Sequence, residues 1–172
     1  MLILLSTIFE SVSAFTMAED VLIQHNGKLG KPNNLFGKYE LEKKDRFGRS
    51  STSIGDLDGD GVPDLAFCAS RDSDGNHFAG AIFIALMNRD GSVKDAKKIS
   101  NNYGNLCDEN VNCLQEEDLF GYALTNVGDI DGDGVTDIAT TTIGNPCVFI
   151  LFLNKDGTLK NHIRNLLRGS PY

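Results

Sequence analysis

Four aspartates in the stretch GDLDGDGVPD, residues 55–64, stand at Asp56, Asp58, Asp60 and Asp64, which are positions 1, 3, 5 and 9 of a loop with Gly61 at position 6. If that loop curls, its carboxylates converge to about 4 to 5 Å, where each like-charge pair costs on the order of 4 kcal/mol at an effective dielectric of 20. Such a loop needs a cation. Oxygen donors alone, with a glycine for the sharp turn and no His or Cys, select calcium, which accepts about 6 to 8 oxygens in flexible geometry. The main-chain carbonyl of Val62, at position 7, is the expected further ligand, and water completes the shell. The pattern recurs as GDIDGDGVTD at residues 128–137, with Asp129, Asp131, Asp133, Asp137 and Val135 in the same places. Two calcium sites are therefore expected.

An EF-hand begins with the same letters, but it needs a bidentate Glu at position 12 and a helix on either side. Position 12 is Phe67 in the first loop and Thr140 in the second. Pro63 and the β-rich run behind it also oppose a second helix. Each loop is expected to close at position 9, between two strands. The alternative, an acidic solvated turn without metal, must reproduce all four aspartates and both glycines twice by chance.

The elements that would hold these loops are read from the repeat. RFGRSSTSIGDLDGDGVPDLAF aligns with LFGYALTNVGDIDGDGVTDIAT at an offset of 73 residues, pairing Phe47-Gly48 with Phe120-Gly121. Self-similarity of this kind dictates architecture. Each unit continues into an apolar run and a turn, AIFIALMNRDGSV and VFILFLNKDGTL, with Asp90-Gly91 and Asp156-Gly157 as hairpin signals. Here the offset is 66, so the first unit carries seven extra residues in its RDSDGNHFAG loop. The runs AIFIAL and VFILFL are apolar on both faces, which predicts sheets covered on both sides. A unit then holds about four strands: one from the Phe-Gly pair to the aspartates, one after them, the apolar run, and a polar outer strand such as SVKDAKKIS. Small four-stranded sheets repeated and packed face to face describe propeller blades.

Phe-Gly followed by Gly-Asp-hydrophobic-Asp-Gly-Asp-Gly-x-x-Asp and an apolar strand resembles the FG-GAP repeat of integrin α-subunit β-propellers. The resemblance covers residues 46 to 160 as two units. The Gly-Ala-Pro element of the family is CASRD in the first unit and Gly144-Asn145-Pro146 in the second. The resemblance implies an all-β chain with the calcium loop between the first and second strands of each blade, serving extracellular adhesion or ligand binding. Dividing 172 residues by the 73-residue period gives about 2.4 units, so the fold expected is an incomplete β-propeller of about 2.4 four-stranded antiparallel blades. The remaining blades are expected from a longer chain or from other subunits.

The expected boundaries are one partial propeller over 1–172, with a partial blade at 1–45, a first full blade at 46–100, an inserted Cys loop at 101–118 and a second blade at 119–172. In the partial blade, VLIQHNGKL matches LFLNKDGTL, and MLILLS falls on LAFCAS without a gap. Residues 1–14 read either as a strand of that blade or as a secretory signal cleaved after Ala14. No segment reaches the roughly 18 apolar residues of a membrane span.

A formal charge of −8 with scattered basic residues argues against a nucleic-acid partner, which needs clustered Lys and Arg. The two loops hold eight of the 24 acidic residues, so two calcium ions would bring −8 to −4. Cys107 and Cys113 bracket the short CDENVNC loop and form either a local disulfide or two surface thiols; Cys68 and Cys147 lie in apolar runs as buried hydrophobes. His25, His77 and His162 lack metal-ligand spacing, and no G-x-S-x-G elbow exists. A non-enzymatic module is therefore expected, with an accessory propeller of a larger hydrolase, such as a phospholipase or polysaccharide-degrading enzyme, as the alternative. A shape-changing calcium sensor lacks the helices that would open. Its ligand, an unknown protein or glycan, is expected at the long polar segments RDSDGNHFAG and NNYGNLCDENVNCLQEED.

Overall fold

A computed structural model describes residues 39, 41–107 and 114–166. Residues 1–38 and 40 of the expected partial blade, with its alternative signal, Cys113, and the last six residues lie outside that range. Among the described residues a 3-10 turn, Lys43–Asp45, precedes eight strands: β1 (Phe47–Gly55), β2 (Asp64–Ala69), β3 (Ala81–Met87), β4 (Val93–Ile99), β5 (Leu124–Gly128), β6 (Asp137–Thr141), β7 (Cys147–Leu153) and β8 (Leu159–Leu166). They form two four-stranded antiparallel sheets, in order β1-β2-β3-β4 and β5-β6-β7-β8. Among the described residues no helix is long and apolar enough to cross a membrane. The described residues are thus all-β, with two blade-like sheets that fit a partial propeller.

The apolar runs become the third strand of each sheet, where hydrogen bonds on both edges suit β-branched and aromatic residues. Both Asp-Gly hairpins form as read. Asn88 and Asn154 donate their amides to Ser92 and Thr158 carbonyls at 2.8 Å, and Gly91 and Gly157 donate to Asn88 and Asn154 at 2.9 Å.

The two sheets stack in the same orientation rather than face to matching face. Ala66, Ile82, Ile84 and Leu86 of the first sheet pack with Ile138, Phe149 and Leu151 of the second in one core. The repeat counterparts of Ala66 and Ile84 are Ala139 and Ile150, which lie on the opposite face of the second sheet, in register with Ile163. The same head-to-tail step can therefore be repeated. Between the innermost strands the contact is polar: Leu124 donates its amide to Ser50 Oγ at 3.1 Å, and Asn126 Nδ2 donates to the Ser53 carbonyl at 2.9 Å. Gly157 sits where a Cβ would lie 2.9 Å from Ile84 Cγ2, so the second hairpin presses directly on the first sheet.

Two sequence expectations need correction. Burial on both faces holds for β3, every residue of which is buried, because Tyr39, Phe67, Phe83 and Met87 form a second core on its far side. It fails for β7, where Val148 and Ile150 are half-buried and Ile163 beside them is 47% exposed. The expected strand from Phe-Gly to the aspartates is nine residues in the first sheet, but in the second it starts only at Leu124. Phe120 is diverted into a parallel bridge with Gly80, its amide bonded to the Ala79 carbonyl at 2.8 Å.

Candidate metal centre

Each aspartate loop joins the first strand of its sheet to the second. Gly55 pairs with Asp64 and Gly128 with Asp137, so the residue just before each loop and its ninth position are brought together by the sheet register. Asp56 accepts the amides of Gly59 and Gly61, both at 2.9 Å, one on each carboxylate oxygen. Asp129 accepts Gly132 at 2.7 Å and Gly134 at 2.8 Å in the same way. Asp58 accepts the Asp60 amide at 3.2 Å, and Asp60 accepts Val62 at 2.9 Å; Asp131 and Asp133 do likewise with Asp133 at 3.3 Å and Val135 at 2.9 Å. The chain thus curls around its own carboxylates, and the valines enter through their amides.

The curl brings three residues of each loop together. Oxygens of Asp56, Asp58 and Asp60 lie within 4.8 Å of one another, and so do those of Asp129, Asp131 and Asp137. Oxygens on opposite sides of a calcium ion are about 5 Å apart, twice its bond length, so either set fits around one hard divalent cation. Asp64 is drawn inward and fully buried, its two oxygens accepting Leu57 and Met87 amides at 2.8 Å. Burial pushes its carboxyl above the usual range, against the pull of those two amides. Asp137 accepts Ile130 at 2.9 Å and Leu153 at 3.3 Å. The ninth aspartate is therefore also a clamp between the loop and the end of the third strand.

Residues 47–84 match the family model of the FG-GAP repeat, a span that runs from the start of β1 through the first aspartate loop and into β3. This segment is an FG-GAP repeat. Over 110 residues the chain is 32% identical to integrin alpha-4 from Xenopus laevis, a match that takes in 59% of this chain and 9% of the relative. The chain thus spans less than a tenth of the length of that curated relative. The second sheet shares the strand order, the loop position and the Asp-Gly hairpin of the FG-GAP repeat in the first.

Sequence reasoning missed two features of the site. Lys94 reaches from β4 over the FG-GAP loop to Asp58 at 2.6 Å and Asp60 at 2.8 Å, and Lys160 reaches from β8 to Asp131 at 2.7 Å and Asp133 at 2.6 Å. The hydrogen bond from Lys94 holds Asp60 below its usual carboxylate range, and that from Lys160 does the same to Asp133. Both ammonium groups are in turn held above the usual lysine range, Lys94 by Asp58 and then Asp60, Lys160 by Asp131 and then Asp133. The signal was present in DGSVK and DGTLK, where a lysine stands three places after each hairpin glycine.

The second feature lies at the other end of the sheets, where the long polar loops are fastened to each other. The amides of Glu117 and Leu119 donate to the His77 and Phe78 carbonyls at 2.8 and 3.1 Å. Buried Asp118 gathers this corner, accepting Gln115 at 2.7 Å and the Asn145 amide at 2.9 Å. Cys107, in the same region, is disulfide-bonded, whereas Cys68 and Cys147 are buried free thiols.

Proposed function

We propose that this chain is a non-enzymatic calcium-binding propeller module of extracellular adhesion or ligand binding, with calcium in a structural role. What carries the reading is the pair of aspartate loops, each with three carboxylates within 4.8 Å, at equivalent corners of two sheets of which one is an FG-GAP repeat. Asp56, Asp58, Asp60 and Asp64 would hold one ion, and Asp129, Asp131, Asp133 and Asp137 the other, with the Val62 and Val135 carbonyls as further donors. When bound, calcium neutralises the converging carboxylates and ties together the two strands that each loop connects. The protein's own part is to aim the oxygens through amide bonds and to anchor the ninth aspartate to the third strand.

The disulfide at Cys107 supports an oxidising compartment, where such bonds persist. Extracellular calcium is millimolar, which suits the weak sites of about 10⁻⁴ to 10⁻³ M found in extracellular modules. Remaining blades, from a longer chain or from other subunits, would seat on the half-covered face of Val148, Ile150 and Ile163. A protein or glycan ligand would meet the fastened loops at residues 71–80 and 101–118.

Thermal unfolding in chelator and in millimolar calcium tests the reading. At ten times Kd, each site adds about 1.4 kcal/mol to the folded state. Melting should rise with calcium in the native chain and lose that response when Asp56→Asn and Asp129→Asn are combined. Superimposable curves for the native chain would overturn it.

A further inference from the structure

We propose that Lys94 and Lys160 are built-in counter-cations of the two aspartate loops, displaced when calcium binds and thereby setting its affinity. This rests on the calcium reading above. Each ammonium spans two carboxylates of its loop through their Oδ2 atoms, at 2.6 and 2.8 Å for Lys94 and at 2.7 and 2.6 Å for Lys160. The Oδ1 atoms of the same four aspartates are taken by main-chain amides of Asp60, Val62, Asp133 and Val135. The lysines thus hold the oxygens of these four aspartates that the backbone leaves over.

The arrangement occurs twice, although the sequence distance from loop to lysine differs by seven residues between the units. It is therefore produced by the return of the fourth strand beside the corner of the first two, and not by local sequence. An ammonium brings one charge and three N–H donors on a flexible four-carbon stem. Calcium brings two charges and takes the oxygens directly, so the two cannot share the same pair, and the lysine must swing into solvent. Both lysines can do so: their side chains are 41% and 39% exposed. The exchange has two consequences. The loops keep their curl at low calcium, and binding is shifted to higher calcium concentration.

Calorimetric titration of the whole chain with calcium chloride tests this. Lys94→Gln and Lys160→Gln should each tighten one of two binding steps by about twofold to fivefold, within the range set by exposed ion pairs. Lys94→Arg and Lys160→Arg, which keep the charge and add a fork that suits carboxylates, should not tighten either step. Lys97→Gln, which removes a pair with Asp95 at 2.7 Å on the same strand, should change neither step. Two ions bound with native affinity in both glutamine variants would overturn the counter-cation while leaving the calcium reading intact. Tightening of the arginine variants to the same extent as the glutamine variants would also overturn it. Absence of calcium uptake in every chain, native included, would remove both.

Discussion

The carboxylate of Asp64 accepts the amide of Met87 at 2.8 Å, joining the first residue of β2 to the last residue of β3. Its second oxygen accepts Leu57 of the metal loop at 2.8 Å, so one buried side chain fixes the loop, the second strand and the third. Asp137 repeats the link to Leu153 at 3.3 Å and to Ile130 at 2.9 Å.

Removing this clamp should be costly even without calcium. Asp64→Ala leaves two amides without their acceptor, each worth about 1–3 kcal/mol when buried. Urea unfolding in chelator should show a loss of about 2–5 kcal/mol for Asp64→Ala and a smaller one for Asp64→Asn, which keeps one acceptor oxygen. The longer bond to Leu153 predicts a smaller loss for Asp137→Ala.

Gly157→Ala should weaken the packing of one sheet on the other. The added methyl would lie 2.9 Å from Ile84 Cγ2, on a backbone with φ of +77°. Strain and overpacking together should cost about 2–4 kcal/mol. Gly132 has a similar φ of +78° with nothing within 4 Å of a new Cβ. Gly132→Ala should therefore cost only the backbone part, about 1 kcal/mol, and the gap between the two variants in thermal unfolding measures the sheet contact.

Asp45 gives the fold a pH dependence of its own. Burial raises its carboxyl from 3.8 to about 6, with the charges of Asp72 and Glu42 adding to the rise and the Glu42 amide opposing it. Between those values the folded chain binds more protons than the unfolded one, so this group's contribution to stability falls as pH rises through about 4 to 6. A shift of that size corresponds to at most about 3 kcal/mol. Asp45→Asn keeps an oxygen for the Glu42 amide, whose bond is 2.6 Å, but cannot ionise. Its stability relative to the native chain should improve steadily across that window and level off above it, measured by denaturant unfolding at several pH values.

The sheets and both loops were legible because their signals are local and occur twice. Asp90-Gly91 and Asp156-Gly157 form turns by their own chemistry, and alternate aspartates around Gly61 and Gly134 curl through bonds to neighbouring amides. What the sequence hid depends on contacts between distant segments. Lys94 reaches Asp58 only because β4 returns along the corner of β1 and β2, 36 residues on. Phe120 leaves its expected strand because a loop from the first sheet takes its amide. Ile150 was expected to be covered on the strength of its apolar run, but coverage depends on what packs against the sheet. Within the described residues only the opposite face of β7 meets another sheet.

Equilibrium dialysis against radioactive calcium at millimolar concentration tests the central claim most directly. Two ions should be retained per native chain, one when either Asp56→Asn or Asp129→Asn is introduced, and none when both are. Retention of no calcium by the folded native chain, or of two ions by the doubly substituted one, would contradict it.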